Sequence, residues 1–397
     1  MINKVLQKDL CNGCGACVSN FAEAGAKMSC NDAGYYRPIL HKKLSAKQEK
    51  EFDALCSGLN VPFDDIIKSD YHPVWGPIVS IEEGYSTNDN IRYQGASGGA
   101  ISSIAVYLLE EKLVDFILHI GANPSDPYKN EIKISRNYDD VLNNSGSRYA
   151  PSSPLESIVE LNAKGEQFAI IGKPCDIVSV HNLRKLHPDR VSNLKYTISF
   201  FCAGVPSFHG TKETVKALGL GVNDVTGIQY RGKGWPGYFT AKTSAGEERQ
   251  MSYNDSWGKI LNRHLQKRCK ICPEGIGEFA DIACADSWDQ EEGGYPSFEE
   301  RPGKSVIIAR NDLGSEVIQK AKIKGYLSAD TLDVSKLDKI QPYQLNRKRS
   351  FALRSLAHYI KRGFTLKTNA KFHFFKLSLG QNPLVTLKNF IGALKRF

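Results

Sequence analysis

The sequence predicts a mixed α/β protein: a small N-terminal cysteine-bearing module followed by a larger α/β domain. Three observations predict it. The run CNGCGAC occupies residues 11–17. From Val79 onward, short apolar runs alternate with helix-like ones. The 397 residues exceed what one ordinary hydrophobic core accommodates. The expected division is residues 1–60 as a ferredoxin-like [4Fe–4S] module, 61–80 as a connector interrupted by Pro62 and Pro73, 81–340 as the main domain and 341–397 as a basic extension.

In the first module Cys11, Cys14 and Cys17 are spaced two residues apart. That spacing lets one loop offer three thiolates to a cubane, and Gly13 and Gly15 permit the tight turn. Zinc sites instead use one C-x2-C pair with a distant second pair. A bacterial ferredoxin run would place a fourth cysteine at position 21, which is Phe21 here. The fourth ligand must come from further on, from Cys56 in ALCSG or Cys30 in KMSCND. Cys56 is favoured because a glycine follows it closely, whereas Cys30 sits in a strand-like segment.

In the main domain, Gly95 to Gly99 forms a glycine-rich turn before the helical run SSIAVYLLEEKL. Strand candidates follow in VDFILHIG, QFAIIGK, KYTISFFC, ADIACAD and SVIIAR, with a helix expected in PSFHGTKETVKALGL. Cys175 and Cys202 each end a predicted strand, and Cys269 and Cys272 form a C-x2-C pair before a proline. Four cysteines on loops at one sheet edge are suited to a second metal centre. The alternative is two buried structural thiols and a redox pair. Cys284 is expected to be packed.

Composition narrows the class. Apolar residues make up 41% and charged residues 24%, as in ordinary globular proteins. No run reaches the roughly 18 apolar residues of a membrane span, and the first residues lack the apolar core of a signal peptide. Ten cysteines at close spacings fit metal ligation in a reducing, cytoplasmic setting. Twelve of the 52 basic residues fall in 341–397, which has no acidic residue; the remainder carries forty basic residues against 43 acidic ones. No basic stripe marks the main body, so nucleic acid is not an expected partner. The extension interleaves its cations with Phe and Leu. An anionic membrane surface is one expected contact for it, packing on the body or docking on an acidic partner the others.

The order of CNGCGAC, GYSTNDNIRYQGASGG, LLEEKLVDFIL, SGSRYAPSSP, AIIGKPCDIVSV, ISFFCAGVPS, YRGKGWPG, RCKICPEGIGEFADIACADSW and VIIARNDLG resembles the beta-subunit family of coenzyme F420 hydrogenases and dehydrogenases, including 7-hydroxymethyl chlorophyll a reductase-like proteins. The resemblance covers roughly residues 8–330. It implies a flavin-binding α/β domain, FAD and two [4Fe–4S] clusters, with Cys175, Cys202, Cys269 and Cys272 as ligands of the second. It also implies an FAD site near residues 85–100 and 145–149. Thr87, Arg92, Gly95, Ser97, Gly98, Gly99 and Arg148 are the residues whose chemistry suits it, because amides at a helix start and nearby guanidinium groups favour a pyrophosphate. The segment lacks a G-x-G-x-x-G fingerprint, so a Rossmann site is not expected. Lys173 and Asp286 are the expected catalytic residues. Arg231, Lys233 and Trp235 are expected to form a substrate or donor surface.

The expected function is an FAD- and [4Fe–4S]-dependent oxidoreductase that takes electrons from reduced ferredoxin or F420 to reduce an organic substrate. A weaker likeness to proteins of cell-surface polysaccharide synthesis points to a glycan precursor. The alternative is an electron-transfer subunit of a larger redox complex, without a substrate of its own. The oligomeric state is not readable from the sequence.

Overall fold

The computed structural model describes residues 1–289, 297 and 299–397. The strand expectations are realised in one eight-stranded sheet. Its strands are β1 (Ser80–Ser86), β2 (Phe116–Ala122), β3 (Asn130–Ser135), β4 (Phe168–Ile171), β5 (Leu194–Phe200), β6 (Ile282–Asp286), β7 (Ser305–Ala309) and β8 (Leu327–Thr331). They lie in the order β8-β1-β7-β6-β5-β4-β2-β3. The inner four, β2, β4, β5 and β6, are mutually parallel, and every other pairing is antiparallel.

The inner strands are buried on both faces, which is why they read as continuous apolar runs. Alternation then sorts their side chains. Phe116, Leu118, Phe168 and Ile170 enter one core with helix α1 (Pro174–Leu186). Ile117, Ala169 and Ile198 enter the other, against the helix Ala100–Glu110 and the helix Asp312–Ile323. A separate three-stranded sheet, 225–229 with 239–243 and 248–251, packs its own core around Tyr230 and Phe239.

No distinct ferredoxin-like module is shown in the N-terminal residues, whose apolar side chains share a core with the main domain. These residues contribute a hairpin, Lys27–Cys30 with Tyr36–Ile39, and the capped helix Ala46–Leu55. Leu10, Phe52 and Leu55 lie in the same core as Ile158, Ile177 and Leu183 of the main domain. Val61, Phe63 and Trp75, in the expected connector, are buried as well.

The basic extension is helical: α2 (Pro342–Arg362), α3 (Lys371–Leu379) and α4 (Pro383–Arg396). It folds back on the body. Phe374 meets Phe63 edge to face with 5.0 Å between ring centroids. The buried Lys348 ammonium donates to Glu278 at 2.5 Å, and the Tyr71 hydroxyl donates to the same carboxylate at 2.5 Å. Segments 61–80, 270–280 and 341–397 thus converge on one buried carboxylate.

Candidate functional site

The parallel strands carry their functional residues where such sheets place ligands, beyond the C-terminal strand ends. β4 runs into Gly172, Lys173 and Cys175; β5 into Phe201 and Cys202; β6 ends at Asp286. A cavity of about 260 Å³ opens at this edge. Its walls include Gly95, Ser97 and Gly99, the 144–150 loop, Lys173, Arg231 and Asp286.

The glycine-rich turn is shaped by close packing. Gly99 has φ +74° and caps the N-terminus of helix Ala100–Glu110. A Cβ on Gly98 would lie 2.7 Å from the Gly84 carbonyl oxygen and 2.8 Å from the Ser305 nitrogen, so the turn sits directly on β1 and β7. The Gly98 amide donates to Ser305 Oγ at 3.0 Å, and Gly98 does not line the cavity.

Four other expected cofactor residues have protein partners already; the Ser97 hydroxyl, in the cavity wall, donates to the Lys304 carbonyl at 2.6 Å. The Thr87 hydroxyl donates to the Gly325 carbonyl, and Arg92 donates to the Gly303 carbonyl at 3.1 Å while lying over the Tyr85 ring. Neither lines the cavity. Arg148 does, but its guanidinium donates to Asn130 Oδ1 at 2.8 Å and to the Ile228, Pro127 and Lys129 carbonyls. It braces loops rather than facing the cavity as a free cation.

The expected catalytic residues are both in the wall, Lys173 in a buried pair and Asp286, itself half-buried, paired with a buried arginine. Lys173 donates to Ser152 Oγ and lies against Asp176, both at 2.8 Å. Burial lowers the Lys173 pKa, but the charge and hydrogen bond of Asp176 with the charges of Cys175 and Cys202 together outweigh it and raise the value. Asp286 accepts two hydrogen bonds from Arg231, each 2.9 Å, and a third from Trp235 Nε1 at 3.1 Å. Burial works against the Arg231 charge, and the Asp286 carboxylate restores it. Lys233 takes no part in the cavity wall. Sequence reading missed His119 and Ser152. His119 is buried in the wall with Nε2 2.7 Å from Ser135 Oγ, and burial lowers its pKa to about 4.

The cysteines fall into two sets. Cys175, Cys202, Cys269 and Cys272 line one small cavity with Arg268, Glu274 and Arg347. Burial raises the Cys202 pKa to about 11, Cys269 adds to the rise, and Arg347 opposes it. The Val205 amide donates to Cys269 Sγ at 3.4 Å. Cys14, Cys17, Cys11 and Cys56 form the other set. Burial raises Cys17, and Cys14, Cys11 and Cys56 each raise it further. Cys14 is pushed up to about 11, chiefly by burial, with its sulfur 3.4 Å from Ser179 Oγ. Cys30 is exposed on the hairpin, and the charges acting on it are Lys129, Lys212, Arg37 and Asp32. Cys284 is buried in the apolar core.

Among the described residues, no three His, Cys, Asp or Glu side chains stand close enough to share one metal ion. Four thiols around a cavity suit a larger group, since a cubane spreads its ligands over four irons. Buried thiols without a counter-charge need a cation to exist as thiolates, and the first set meets that description.

The two sets and the large cavity adjoin one another. Cys202, Gly204 and Val205 line both cavities. Cys175 and Ser179, one turn apart on α1, face the second cysteine set and Cys14. Asn12, inside the CNGCGAC loop, reaches the wall of the second cavity. Arg268 ties the sets together by donating to the Ser57 carbonyl at 3.0 Å and to Glu274 at 2.7 Å. From the extension, Gln344 and Arg347 donate to the Cys202 carbonyl, and Arg347 also reaches the Ala203 carbonyl at 2.6 Å.

Comparison with known proteins matches this architecture. Residues 81–160 match the family model described as coenzyme F420 hydrogenase/dehydrogenase, beta subunit N-term, and residues 165–335 match that of its C terminus. The chain is 27% identical over 271 residues to a coenzyme F420 hydrogenase subunit beta of Methanococcus voltae, covering 66% of this chain and 89% of that protein. It is 23% identical to an F420-dependent formate dehydrogenase subunit beta of Methanocaldococcus jannaschii, covering 61% of this chain and 59% of that one. A chain of the F420-reducing [NiFe] hydrogenase complex from Methanosarcina barkeri shares the fold, with TM-score 0.57, 20% identity, and coverage of 75% and 98% of the two chains. The resemblance to the plant chlorophyll reductase draws no support from these matches.

Proposed function

We propose that this chain, which belongs to the coenzyme F420 hydrogenase/dehydrogenase beta-subunit family, is an iron–sulfur flavoprotein electron-transfer subunit of a larger redox complex. Its oxidoreductase character follows from the family. The observation that carries the finer reading is the grouping of eight cysteines into two sets in a row with one cavity. The Methanococcus voltae and Methanocaldococcus jannaschii relatives named above are themselves beta subunits, which favours a subunit role over a self-sufficient reductase.

Cys11, Cys14, Cys17 and Cys56 are the proposed ligands of one [4Fe–4S] cluster, and Cys175, Cys202, Cys269 and Cys272 those of the other. Gly95, Ser97, Gly99 and the 144–150 loop are the proposed cradle for FAD. The cavity's 260 Å³ suits a ring system rather than a whole dinucleotide. Flavin would supply two-electron exchange and each cluster one-electron transfer. The chain's own contribution is electrostatic. In the second set burial and the carboxylates Asp176 and Glu274 raise the thiol pKa values while Lys173, Arg268 and Arg347 oppose the rise, whereas the charges on Cys17 in the first are all thiols. The donor is proposed to be an acidic carrier, reduced ferredoxin or F420. The basic extension is the part of the chain suited to an anionic surface.

A second reading, reduction of an organic substrate by the chain itself, is favoured by the Arg231–Asp286 pair in the cavity wall. Anaerobic mixing of the assembled chain with reduced ferredoxin, and separately with reduced F420, tests the proposal through the flavin absorbance. The flavin should be reduced by one of them, and Cys17→Ser should abolish the reduction by ferredoxin. Failure of both carriers would refute it. Turnover of an organic substrate without a second subunit would favour the second reading.

A further inference from the structure

The extension docks on the body with one side and leaves another apolar side uncovered. Among the described residues, 18 large hydrophobic side chains are exposed, and 11 of them lie in residues 341–397. Their spacing is helical. On α3, Phe372, Phe375 and Leu379 are exposed at i, i+3 and i+7, while Phe374 and Ser378 face inward. On α4, Leu384, Leu387 and Ile391 repeat the same spacing, while Ala393 is buried. Three residues join the two helices. Lys371 and Lys376 on α3, and Lys388 and Lys395 on α4, are exposed beside these stripes. No acidic residue occurs in the segment.

We propose that α3 and α4 form a docking surface for an anionic lipid bilayer, with the apolar stripes entering the headgroup boundary and the lysines meeting lipid phosphates. This inference deepens the reading of the extension as the part suited to an anionic surface. α4, with its apolar stripe and Lys388 and Lys395 beside it, is an amphipathic helix suited to lie in that interface, and α3, apolar on its covered and uncovered sides alike, adds exposed Phe372, Phe375 and Leu379. A protein partner is less well matched, because lysine is depleted at protein interfaces, while anionic headgroups attract it. The helices, at 9 and 14 residues, are too short to span a bilayer, and no helix of the described residues is long and apolar enough to do so. Association is therefore peripheral.

Sedimentation of the anaerobically assembled full chain with vesicles decides it. Vesicles of phosphatidylcholine alone are compared with vesicles carrying one-third phosphatidylglycerol, at low and high salt. The chain should sediment with the anionic vesicles at low salt and be released by high salt. K376Q, K388Q and K395Q combined should weaken partition on the order of a hundredfold. F375S with L387S, both exposed, should weaken it at least tenfold while flavin reduction by the donor that serves the parent chain stays unchanged. That unchanged readout separates failure of the docking surface from failure of the electron-transfer reading. Absence of binding to anionic vesicles at low salt would overturn the proposal. So would binding that both sets of substitutions leave intact, or a purified redox partner bound through these helices in place of vesicles.

Discussion

Replacing Arg268 with methionine should destabilise the protein and loosen both cysteine sets together. The Arg268 and Glu274 side chains are 2% and 0% exposed and lie 2.7 Å apart. Arg268 also donates to the Ser57 carbonyl, next to Cys56, at 3.0 Å. Among the described residues the second oxygen of Glu274 has no hydrogen-bond partner, so the carboxylate depends on this one cation. Removing one member of such a pair leaves an uncompensated buried charge and costs about 3–5 kcal/mol. Loss of the bond to Ser57 adds about 1 kcal/mol. The assay is urea unfolding under anaerobic conditions, with iron release to a chelator followed in parallel. The expected result is a lower urea midpoint with an unchanged slope and faster iron release from both sets. Adding Glu274→Gln in the same chain should recover most of the loss, because the stranded charge is gone. A cost under about 1 kcal/mol for Arg268→Met would refute this reasoning, since it would mean the Glu274 carboxylate is not stranded.

Lys348→Met should cost about 3–5 kcal/mol by stranding Glu278, and should make residues 342–397 more sensitive to limited proteolysis; unchanged digestion would show that the extension is not held by this pair. Gly98→Ala places a methyl against backbone atoms of Gly84 and Ser305 that cannot move independently, so flavin retention should fall at least tenfold with little change in circular dichroism. His119 titrates at about 4 in the folded protein against an ordinary value of 6.5, so it contributes stability above pH 6.5 that is lost as pH falls toward 4. The difference is about 3 kcal/mol, and His119→Gln should flatten that part of the stability–pH curve.

What the sequence made legible was what local spacing determines. The CNGCGAC loop needs no tertiary information to bring three thiols together, and the inner strands announce themselves because both their faces are buried. Cys175 and Cys202 were readable as strand-end residues, since a parallel sheet directs its loops to one edge. Less was readable wherever a side chain chose between partners distant in sequence. Thr87 and Arg92 have phosphate-binding chemistry, yet carbonyls of Gly325 and Gly303 take their hydrogen bonds. Asp286 gave no sign that Arg231 would hold it in two places. Residues 1–60 carry a recognisable loop, but the apolar residues that bind them to α1 look like any amphipathic pattern, so their integration into the main core was hidden. The extension shows the same ambiguity resolved: one side of its helices is covered by the body and another is not, and periodicity alone does not say which surface covers a stripe.

Iron, sulfide and flavin quantitation on anaerobically purified chain tests the central claim most directly. Two cubanes and one flavin predict about eight irons, about eight sulfides and one acid-releasable FAD per chain. Cys14→Ala and Cys272→Ala should each lower iron by about four, in different sets. Protein that is fully folded yet holds zinc, no acid-labile sulfide and no flavin would contradict the account.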